Sequence, residues 1–232
     1  MNYDLIVVGS GPGGYVAAIR ASQLNMKVGV VEKAELGGVC LNWGCIPTKA
    51  LLKSGEVFSH MNHAQNYGIK VDGEIKPDFE AMISRSREVA NGMSKGIQYL
   101  FKKNKIDHLQ GFGKLVDKQT VEVTGEDGSA EKYQANHIIL ATGARSKELP
   151  NLKQDGDKII GYREAMTLPK QPKSMIVVGS GAIGSEFANF YNSIGTEVTL
   201  VEFLPRIVPI EDEEVSKQLN RSFKKSGIKV MT

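Results

Sequence analysis

The sequence predicts an α/β protein built on parallel sheets, into which a helical hairpin and a small antiparallel β-meander are inserted. Two observations support this fold class. An apolar run near the start of the chain leads into a glycine-rich turn, a helical pattern and a second apolar run, and the same order returns in the second half. Between the two copies, apolar residues first recur at helical spacing and then fall in short β-like pieces separated by turns.

The first copy begins at Leu5–Val8, an unbroken apolar run that is typical of a strand buried on both faces of a parallel sheet. In the turn that follows, Gly9 makes the tight bend, Gly11 lets a pyrophosphate approach the backbone, and Gly14 lets the helix pack on the strand. The helix N-terminus can donate N–H groups to phosphates. Glu32, at the end of the next strand, can accept both ribose hydroxyls, so the sequence predicts a dinucleotide site.

The second copy is an internal repeat of the first. Aligning Leu5 with Met175 needs no gap as far as Glu202, which stands where Glu32 stands in the first copy. The repeat preserves the three glycines of the turn, which are Gly179, Gly181 and Gly184. Two dinucleotide units are therefore predicted, and one could carry a flavin and the other a nicotinamide.

Both cysteines of the chain, Cys40 and Cys45, lie between the two copies. Pro47 suits the first position of a helix, because its missing N–H would have no partner there in any case. Apolar residues continue in helical rhythm from Lys49 to Met61. Cys45 is therefore expected just ahead of a helix N-terminus, where partial positive charge favours the thiolate that reacts with disulfides.

Other interpretations of the two cysteines stay open on spacing alone. They could form a structural disulfide, although chains without secretion signals seldom keep one. They could be half of a zinc site, which would need two more ligands, or they could be two unrelated buried thiols. The four histidines are scattered apart from one close pair, and they are His60, His63, His108 and His137.

The middle of the chain predicts the inserted elements. A loop at Tyr67–Pro77 separates the helix of the cysteine stretch from a second helix at Asp78–Lys103, whose apolar residues form one stripe. We interpret the next four pieces as the antiparallel meander; they are Ile106–Leu109, Gly113–Val116, Thr120–Thr124 and Glu131–Tyr133. A further strand is predicted at His137–Ala141.

A looser segment, Pro150–Pro172, marks a predicted domain boundary between residues 149 and 150. After the second copy, a helix is predicted at Glu211–Lys225 and a third strand at Gly227–Val230. Because a sheet unit that stops at its third strand lacks neighbours for its edge, we expect the chain to be part of a longer protein. We also expect apolar surface to be exposed at Ile176–Val178 and Val198–Val201 unless something covers it.

Composition excludes several classes of function. The chain has 232 residues, of which 41% are apolar and 24% charged, and its net charge of +3 is spread without a basic block. Nucleic-acid and membrane-surface binding are therefore not expected. No segment is long and apolar enough to span a membrane, and the start lacks the cationic and apolar pattern of a signal peptide, so we expect a cytoplasmic protein.

The spacing Gly-Gly-x-Cys-x-x-x-x-Cys-x-Pro-x-Lys at Gly37–Lys49, joined to two glycine turns, resembles that of the flavoprotein pyridine-nucleotide disulfide oxidoreductases. The resemblance runs from Asp4 to Val230. It implies FAD/NAD(P)-binding Rossmann-like domains, with an FAD-binding domain at 1–149 that includes the redox disulfide and an incomplete NAD-binding domain at 150–232. The second flavin segment and the C-terminal dimerisation domain of the family, with its His-Glu pair that acts as a base, are absent from this chain.

The resemblance implies a set of cofactor contacts. The ADP half of FAD would be held by Gly9, Gly11, Gly14 and Glu32. The rest of FAD would be lined by Lys33, Gly38, Val39, Cys40, Lys49, Gly113, Thr142 and Gly143, with Val39 standing where the family often has threonine. NAD would be held by Gly179, Gly181, Gly184, Glu186 and Glu202.

The resemblance also implies a reaction. Cys45 would face the flavin, Cys40 would exchange with substrate, and Lys49 would lie near the flavin and pair with Glu186. Dihydrolipoamide, carried on the lipoyl domains of 2-oxo acid dehydrogenase complexes, would be oxidised to lipoamide, with electrons passing through the disulfide and FAD to NAD⁺. The full-length protein would be a homodimer.

Rival functions remain within and beyond the family. Glutathione reductase prefers NADPH, and a carboxylate at Glu202 would repel a 2′-phosphate by roughly several kcal/mol, which favours NAD. Mercuric reductase shares the core of the fold, and a transhydrogenase of the family would lack one of the two cysteines. A catalytically inert nucleotide-binding fragment is the alternative from another class.

Overall fold

The computed structural model describes residues 2–232, and its contacts divide the chain into two units. The first unit holds the residues up to Pro47 together with Arg87–Asn151. The second unit holds Thr48–Ser86 and Leu152–Thr232. The assignment of 1–149 to FAD and 150–232 to NAD is a statement about ligands and stays a prediction.

The first unit is built on a six-stranded sheet in the order β3-β2-β1-β6-β5-β4. Its strands are β1 (Asn2–Val8), β2 (Val28–Glu32), β3 (Asp107–Gln110), β4 (Phe112–Leu115), β5 (Thr120–Thr124) and β6 (Ala130–Leu140). The strands β3, β2, β1 and β6 run parallel to one another, whereas β6, β5 and β4 form an antiparallel meander. Both the parallel sheet and the meander were predicted.

Two strand predictions are wrong in their pairing. Ile106–Leu109 was assigned to the meander, but β3 instead pairs in parallel with β2. Glu131–Tyr133 and His137–Ala141 were predicted as separate strands, but residues 131–133 and 137–140 belong to one strand, β6, which pairs antiparallel with β5 and then parallel with β1. The residues between them contain no glycine or proline to break the strand, and a local pattern does not reveal which partner an extended segment will choose.

The core of the first unit covers both faces of β1 and β2. Leu5 and Val7 contact a cluster with Ala18 on one face, whereas Ile6 and Val8 contact a cluster with Val121 on the other. Ile6 and Val7 are completely buried. This confirms the prediction of a central parallel strand, because only a strand covered on both sides can be apolar at every position.

Among the described residues, the first half of the chain contains four α-helices, which are α1 (Pro12–Gln23), α2 (Gly38–Trp43), α3 (Cys45–Asn62) and α4 (Phe79–Lys103), and a short 3₁₀ helix at Ala64–Tyr67. Asp78 caps α4, since its Oδ1 accepts the Ala81 N–H at 3.0 Å. The predicted stripe of α4 is buried at Phe79 and at Phe101, but Met93 is 46% exposed. Within residues 2–232, no helix has the combined length and apolarity needed to cross a membrane.

The second unit repeats the start of the first. Its parallel sheet has the order β7 (Ser174–Val178), β8 (Glu197–Val201) and β9 (Lys229–Met231). Its other helices are α5 (Tyr162–Ala165), α6 (Ala182–Ser193) and α7 (Glu213–Lys225). Met175 pairs with Val198 as Leu5 pairs with Val28, so the register of the repeat is the one that the alignment predicts.

Apolar exposure in this second sheet was predicted at residues 176–178 and 198–201, and it is found in part. Ile176 and Val178 are 71% and 51% exposed. Val198 and Leu200, by contrast, are buried in the core of this unit, together with Phe187 of α6. The prediction failed for β8 because its apolar residues alternate toward the face that the helices cover.

Candidate active site

The first glycine turn has the geometry that a diphosphate requires. Gly9 has a φ of +102°, which favours glycine, and a Cβ on Gly14 would overlap the Gly9 carbonyl oxygen. Helix α1 begins directly after Gly11, and no side chain caps its N-terminus. A Cβ on Gly11 or Gly13 would meet nothing within 4 Å. The open space and the uncapped N–H groups fit a phosphate group.

Glu32 is bound to this turn through Ser10. Glu32 Oε2 accepts the Ser10 N–H at 3.0 Å and the Ser10 hydroxyl at 2.8 Å, and Oε1 accepts the N–H groups of Lys33 and Ala34. Burial raises the pKa of Glu32, but these hydrogen bonds outweigh it and hold the pKa below its usual value. A carboxylate has about four acceptor positions. The chain itself fills them, so ribose binding by Glu32 requires one of these donors to yield.

Ser10 also connects the glycine turn to the segment that carries the cysteines. Gly37 N–H lies 3.1 Å from the Ser10 carbonyl oxygen and 3.2 Å from the Ser10 hydroxyl oxygen. Gly38 packs so closely on Gly11 that a Cβ on Gly38 would lie 2.7 Å from the Gly11 Cα. The role of Ser10 was not predicted from the sequence, although the match of Ser10 to Ser180 in the repeat was a signal for it.

Cys40 and Cys45 form a disulfide, with their Cα atoms 4.7 Å apart. Cys40 lies on α2 and Cys45 is the first residue of α3, and Gly44 separates the two helices. A Cβ on Gly44 would lie 3.0 Å from the Val39 carbonyl oxygen, so a glycine there lets the chain return beside α2. The interpretation as two unrelated buried thiols is thereby excluded. Cys45 is exposed, whereas Cys40 is half-buried.

The local helix prediction around the cysteines is corrected by the structure. Helix α3 begins at Cys45 rather than at Pro47, which occupies the third position, where a missing N–H still costs no intrahelical bond. Helix α2 was not predicted. It has only six residues and follows Gly37, whose φ is +97°, so it is too short to show a helical period.

Two residues that the resemblance assigns to the flavin site have contacts on β4. A Cβ on Gly113 would lie 2.9 Å from Val8 Cγ1 and 3.0 Å from Val31 Cγ1, so this glycine lets the meander pack on the central strands. Lys33 Nζ lies 5.6 Å from the centre of the Phe112 ring. These contacts explain both residues structurally, and their cofactor contacts stay predictions.

The remaining assigned residues of the first unit lie at the surface. Val39 is 42% exposed on α2. Thr142 and Gly143 follow β6 and are exposed, and Gly143 has a φ of +74°. A Cβ on Gly9 would overlap the Ala141 carbonyl oxygen, so the glycine turn and the end of β6 are in close contact. Exposed backbone beside the turn is available to a ligand.

The second glycine turn reproduces the first. Gly179 has a φ of +96°, and a Cβ on Gly184 would overlap the Gly179 carbonyl oxygen. Gly181 stands before α6 with no side-chain cap and with open space where its Cβ would be. The second turn therefore also fits a phosphate group.

Glu202 and Ser180 repeat the contact of Glu32 and Ser10. Glu202 Oε2 accepts the Ser180 N–H at 2.9 Å and the Ser180 hydroxyl at 2.6 Å, and Oε1 accepts the Leu204 N–H at 3.0 Å. Burial raises the pKa of Glu202, but these bonds and one from Phe203 N–H hold the pKa below its usual value. Glu202 is therefore ionised at neutral pH.

Lys49 forms an ion pair with Glu186, as the resemblance implied. Lys49 lies in the second turn of α3, and Glu186 lies in the first half of α6. The two side chains are 60% and 30% exposed, so the pair is partly solvated. No group of three or more His, Cys, Asp or Glu side chains in residues 2–232 could hold a metal ion, so the zinc interpretation has no support.

The family of the chain follows from this geometry together with comparisons of sequence. Two glycine turns, each closed by an acid, and a disulfide between two helices fit the class of nucleotide-dependent disulfide oxidoreductases. Residues 3–232 match the model of the pyridine nucleotide-disulphide oxidoreductase family. The chain belongs to this family.

Three of the curated relatives that match the chain are dihydrolipoyl dehydrogenases. The chain is 50% identical over 233 residues to the dihydrolipoyl dehydrogenase of Zymomonas mobilis, 48% over 245 residues to that of Rhizobium etli and 51% over 228 residues to that of Chlorobaculum tepidum. These alignments cover 100%, 100% and 98% of this chain, but only 49%, 51% and 48% of the relatives. The chain thus spans about half the length of the curated relatives it matches.

The hydrogen bonds of Glu32 predict a pH-dependent contribution to stability. Because the pKa of Glu32 is lowered on folding, its contribution is present above the unfolded pKa, near 4.5, and is lost as pH falls through the folded value. Glu32→Gln should therefore lower the free energy of unfolding at pH 7 by about 1.5–3 kcal/mol, the range for hydrogen bonds to charged groups. The difference from the parent chain should shrink below about pH 4.

Urea unfolding followed by the fluorescence of Trp43, the single tryptophan of the chain, measures this effect within the first unit. Glu126→Gln is the matched control, because Glu126 is an exposed acid of the same unit. An equal loss at pH 7 and pH 3 would contradict an electrostatic role of the Glu32 carboxylate.

Proposed function

We propose that the enzyme to which this chain belongs oxidises dihydrolipoamide to lipoamide with NAD⁺ as the acceptor, as a dihydrolipoamide dehydrogenase. The observation that carries this proposal is the Cys40–Cys45 disulfide, which lies on α2 and α3 and is anchored to the first glycine turn through Gly37. The names of the relatives support the choice of substrate.

The proposed exchange at the disulfide is a balanced two-electron step. One thiolate of dihydrolipoamide attacks the Cys40 sulfur, a mixed disulfide forms, and Cys45 leaves as a thiolate. The second substrate thiolate then attacks the substrate sulfur of the mixed disulfide. Lipoamide closes its ring and Cys40 leaves as a thiolate, so the substrate is oxidised and the pair is reduced.

The cofactors would be held by the residues of the two turns. The first turn fits the ADP half of FAD, with a ribose hydroxyl replacing one of the donors that Glu32 now accepts, and the second turn, with Glu202, fits NAD. When bound, FAD would be the acceptor of the electron pair from the dithiol, and NAD⁺ would be the final hydride acceptor. The exposed Cys45 is the sulfur that the flavin would cover, and Lys49, paired with Glu186, would set the charge beside it.

The proposed partners follow from the substrate. Dihydrolipoamide is presented on the lipoyl domains of 2-oxo acid dehydrogenase complexes, so these domains are the proposed macromolecular partners. A homodimer is proposed for the full-length enzyme, in which the base that deprotonates the substrate thiol lies outside the residues of this chain.

Removal of either cysteine should abolish turnover. In the FAD-loaded enzyme that carries this chain, Cys40→Ser or Cys45→Ser should reduce NADH formation from dihydrolipoamide and NAD⁺ by at least about 10³-fold, because the exchange has no other acceptor. Bound flavin absorbance near 450 nm, measured in each variant, controls for loss of the cofactor. Faster turnover of glutathione disulfide with NADPH than of dihydrolipoamide with NAD⁺ would contradict the proposed substrate.

Glu202 should discriminate between the two nicotinamide cofactors. Since an ionised carboxylate repels a 2′-phosphate, Glu202→Gln should improve NADP⁺ use relative to NAD⁺, measured as the ratio of kcat/KM values. A change of about tenfold or more is expected. Glu197→Gln, an exposed acid on the same strand β8, is the control. If the ratio does not move in Glu202→Gln, this acid is not the discriminator.

A further inference from the structure

A group of side chains beside the redox helix takes no part in the proposed reaction. Arg87 of α4 contacts the C-terminal end of α2, the helix that carries Cys40. Its guanidinium carbon lies 4.2 Å from the centre of the Trp43 ring, and its Nη2 donates to the carbonyl oxygen of Asn42. Trp43 Nε1 in turn donates to Glu35 Oε1 at 3.2 Å.

These contacts stabilise α2, which is too short to satisfy its own backbone hydrogen-bonding groups. A helix of six residues leaves most of its terminal N–H and C=O groups without intrahelical partners. The side chain of the buried Asn42 donates to the carbonyl oxygens of Leu36 and Gly38, each at 3.0 Å, and so secures the start of α2. At the C-terminal end of α2, Arg87 donates a hydrogen bond to the carbonyl oxygen of Asn42. A cation at this end also interacts favourably with the helix dipole.

Packing on Trp43 alone does not account for an arginine at this position. Arg87 Nη1 is buried and has no hydrogen-bond partner among residues 2–232. Burial lowers the pKa of Arg87, and only the charge of Glu35 opposes this. A methionine would cover the Trp43 ring without burying an unpaired donor. What the arginine adds is the bond to Asn42.

We propose that Arg87 is a positioning residue for the Cys40–Cys45 pair. By binding the C-terminal end of α2, Arg87 keeps the two sulfur atoms close together, so that the disulfide re-forms readily after reduction. The proposal rests on the proposed function, in which the pair opens and closes in every turnover. In the reduced state the two thiols are joined only by their chain, so the tendency to re-form the bond depends on their effective concentration. A clasped α2 keeps that concentration high because little freedom has to be lost on closure.

The sign of the effect separates positioning from charge. If Arg87 acts by position, its loss lowers the effective concentration of the thiols, and the disulfide becomes easier to reduce. If Arg87 acts instead as a cation that stabilises a thiolate, its loss disfavours the reduced state, and the disulfide becomes harder to reduce.

The test is the equilibrium of the disulfide with glutathione in this chain, measured by alkylation and mass analysis at pH 7. Arg87→Met should lower the equilibrium constant for disulfide formation about three- to tenfold, and a tenfold change corresponds to about 30 mV. Arg87→Lys, which keeps a donor for the Asn42 carbonyl, should stay within about twofold of the parent chain. Lys95→Met, at an exposed position of the same helix, should leave the constant unchanged.

A cooperative urea unfolding transition followed by circular dichroism establishes that each variant is folded, because replacement of Arg87 changes the surroundings of Trp43 directly. If Arg87→Met does not fold, Arg87→Gln replaces it and should shift the equilibrium in the same direction. An unchanged or raised constant in a folded variant overturns the proposal. That result would leave the proposed function intact. The proposed function fails separately if dihydrolipoamide does not reduce the Cys40–Cys45 disulfide in the parent chain.

Discussion

The hydrogen bonds of Ser10 are the interaction on which the first unit depends. This buried serine binds the acid at the end of β2 and also the N–H of Gly37, the residue before α2. Ser10, which lies in the glycine turn, is thereby hydrogen-bonded both to Glu32 and to the residue that precedes α2. Since a buried hydroxyl left without partners costs free energy, the bonds of the Ser10 hydroxyl to Glu32 and Gly37 favour the arrangement in which both partners are in place.

The second unit uses the same device without the redox pair. Ser180 binds Glu202 and accepts the Val208 N–H at 3.1 Å, so it fixes a loop after β8 as Ser10 fixes the loop after β2. The repeat thus conserves an acid, a serine and a tethered loop. The two loops lead to different elements: the first leads to α2 and α3, which carry the cysteines, and the second leads to α7. Each turn therefore keeps a geometry that fits a phosphate group, whereas the segment that follows each loop differs between the two units.

Sequence patterns predicted the parts of this molecule that depend on neighbours in the chain. Apolar runs and glycine spacing located both turns and the ends of β2 and β5, because turn chemistry and strand burial are local. The partner of β3 and the continuity of β6 depended on non-local pairing, and α2 was too short to have a period. Arg87 carries no motif, and its role is visible only because the fold brings it to Trp43.

The most direct test of this account replaces Ser10 and Ser180 by alanine, one at a time. If the Ser10 hydroxyl connects the first glycine turn to the start of α2, Ser10→Ala should lower the equilibrium constant for closing the Cys40–Cys45 disulfide about two- to tenfold, the range that corresponds to one hydrogen bond. Ser180→Ala, which removes the equivalent hydroxyl of the second unit, should leave that constant unchanged. Equal effects of the two substitutions, or no effect of Ser10→Ala in a folded chain, would contradict the account.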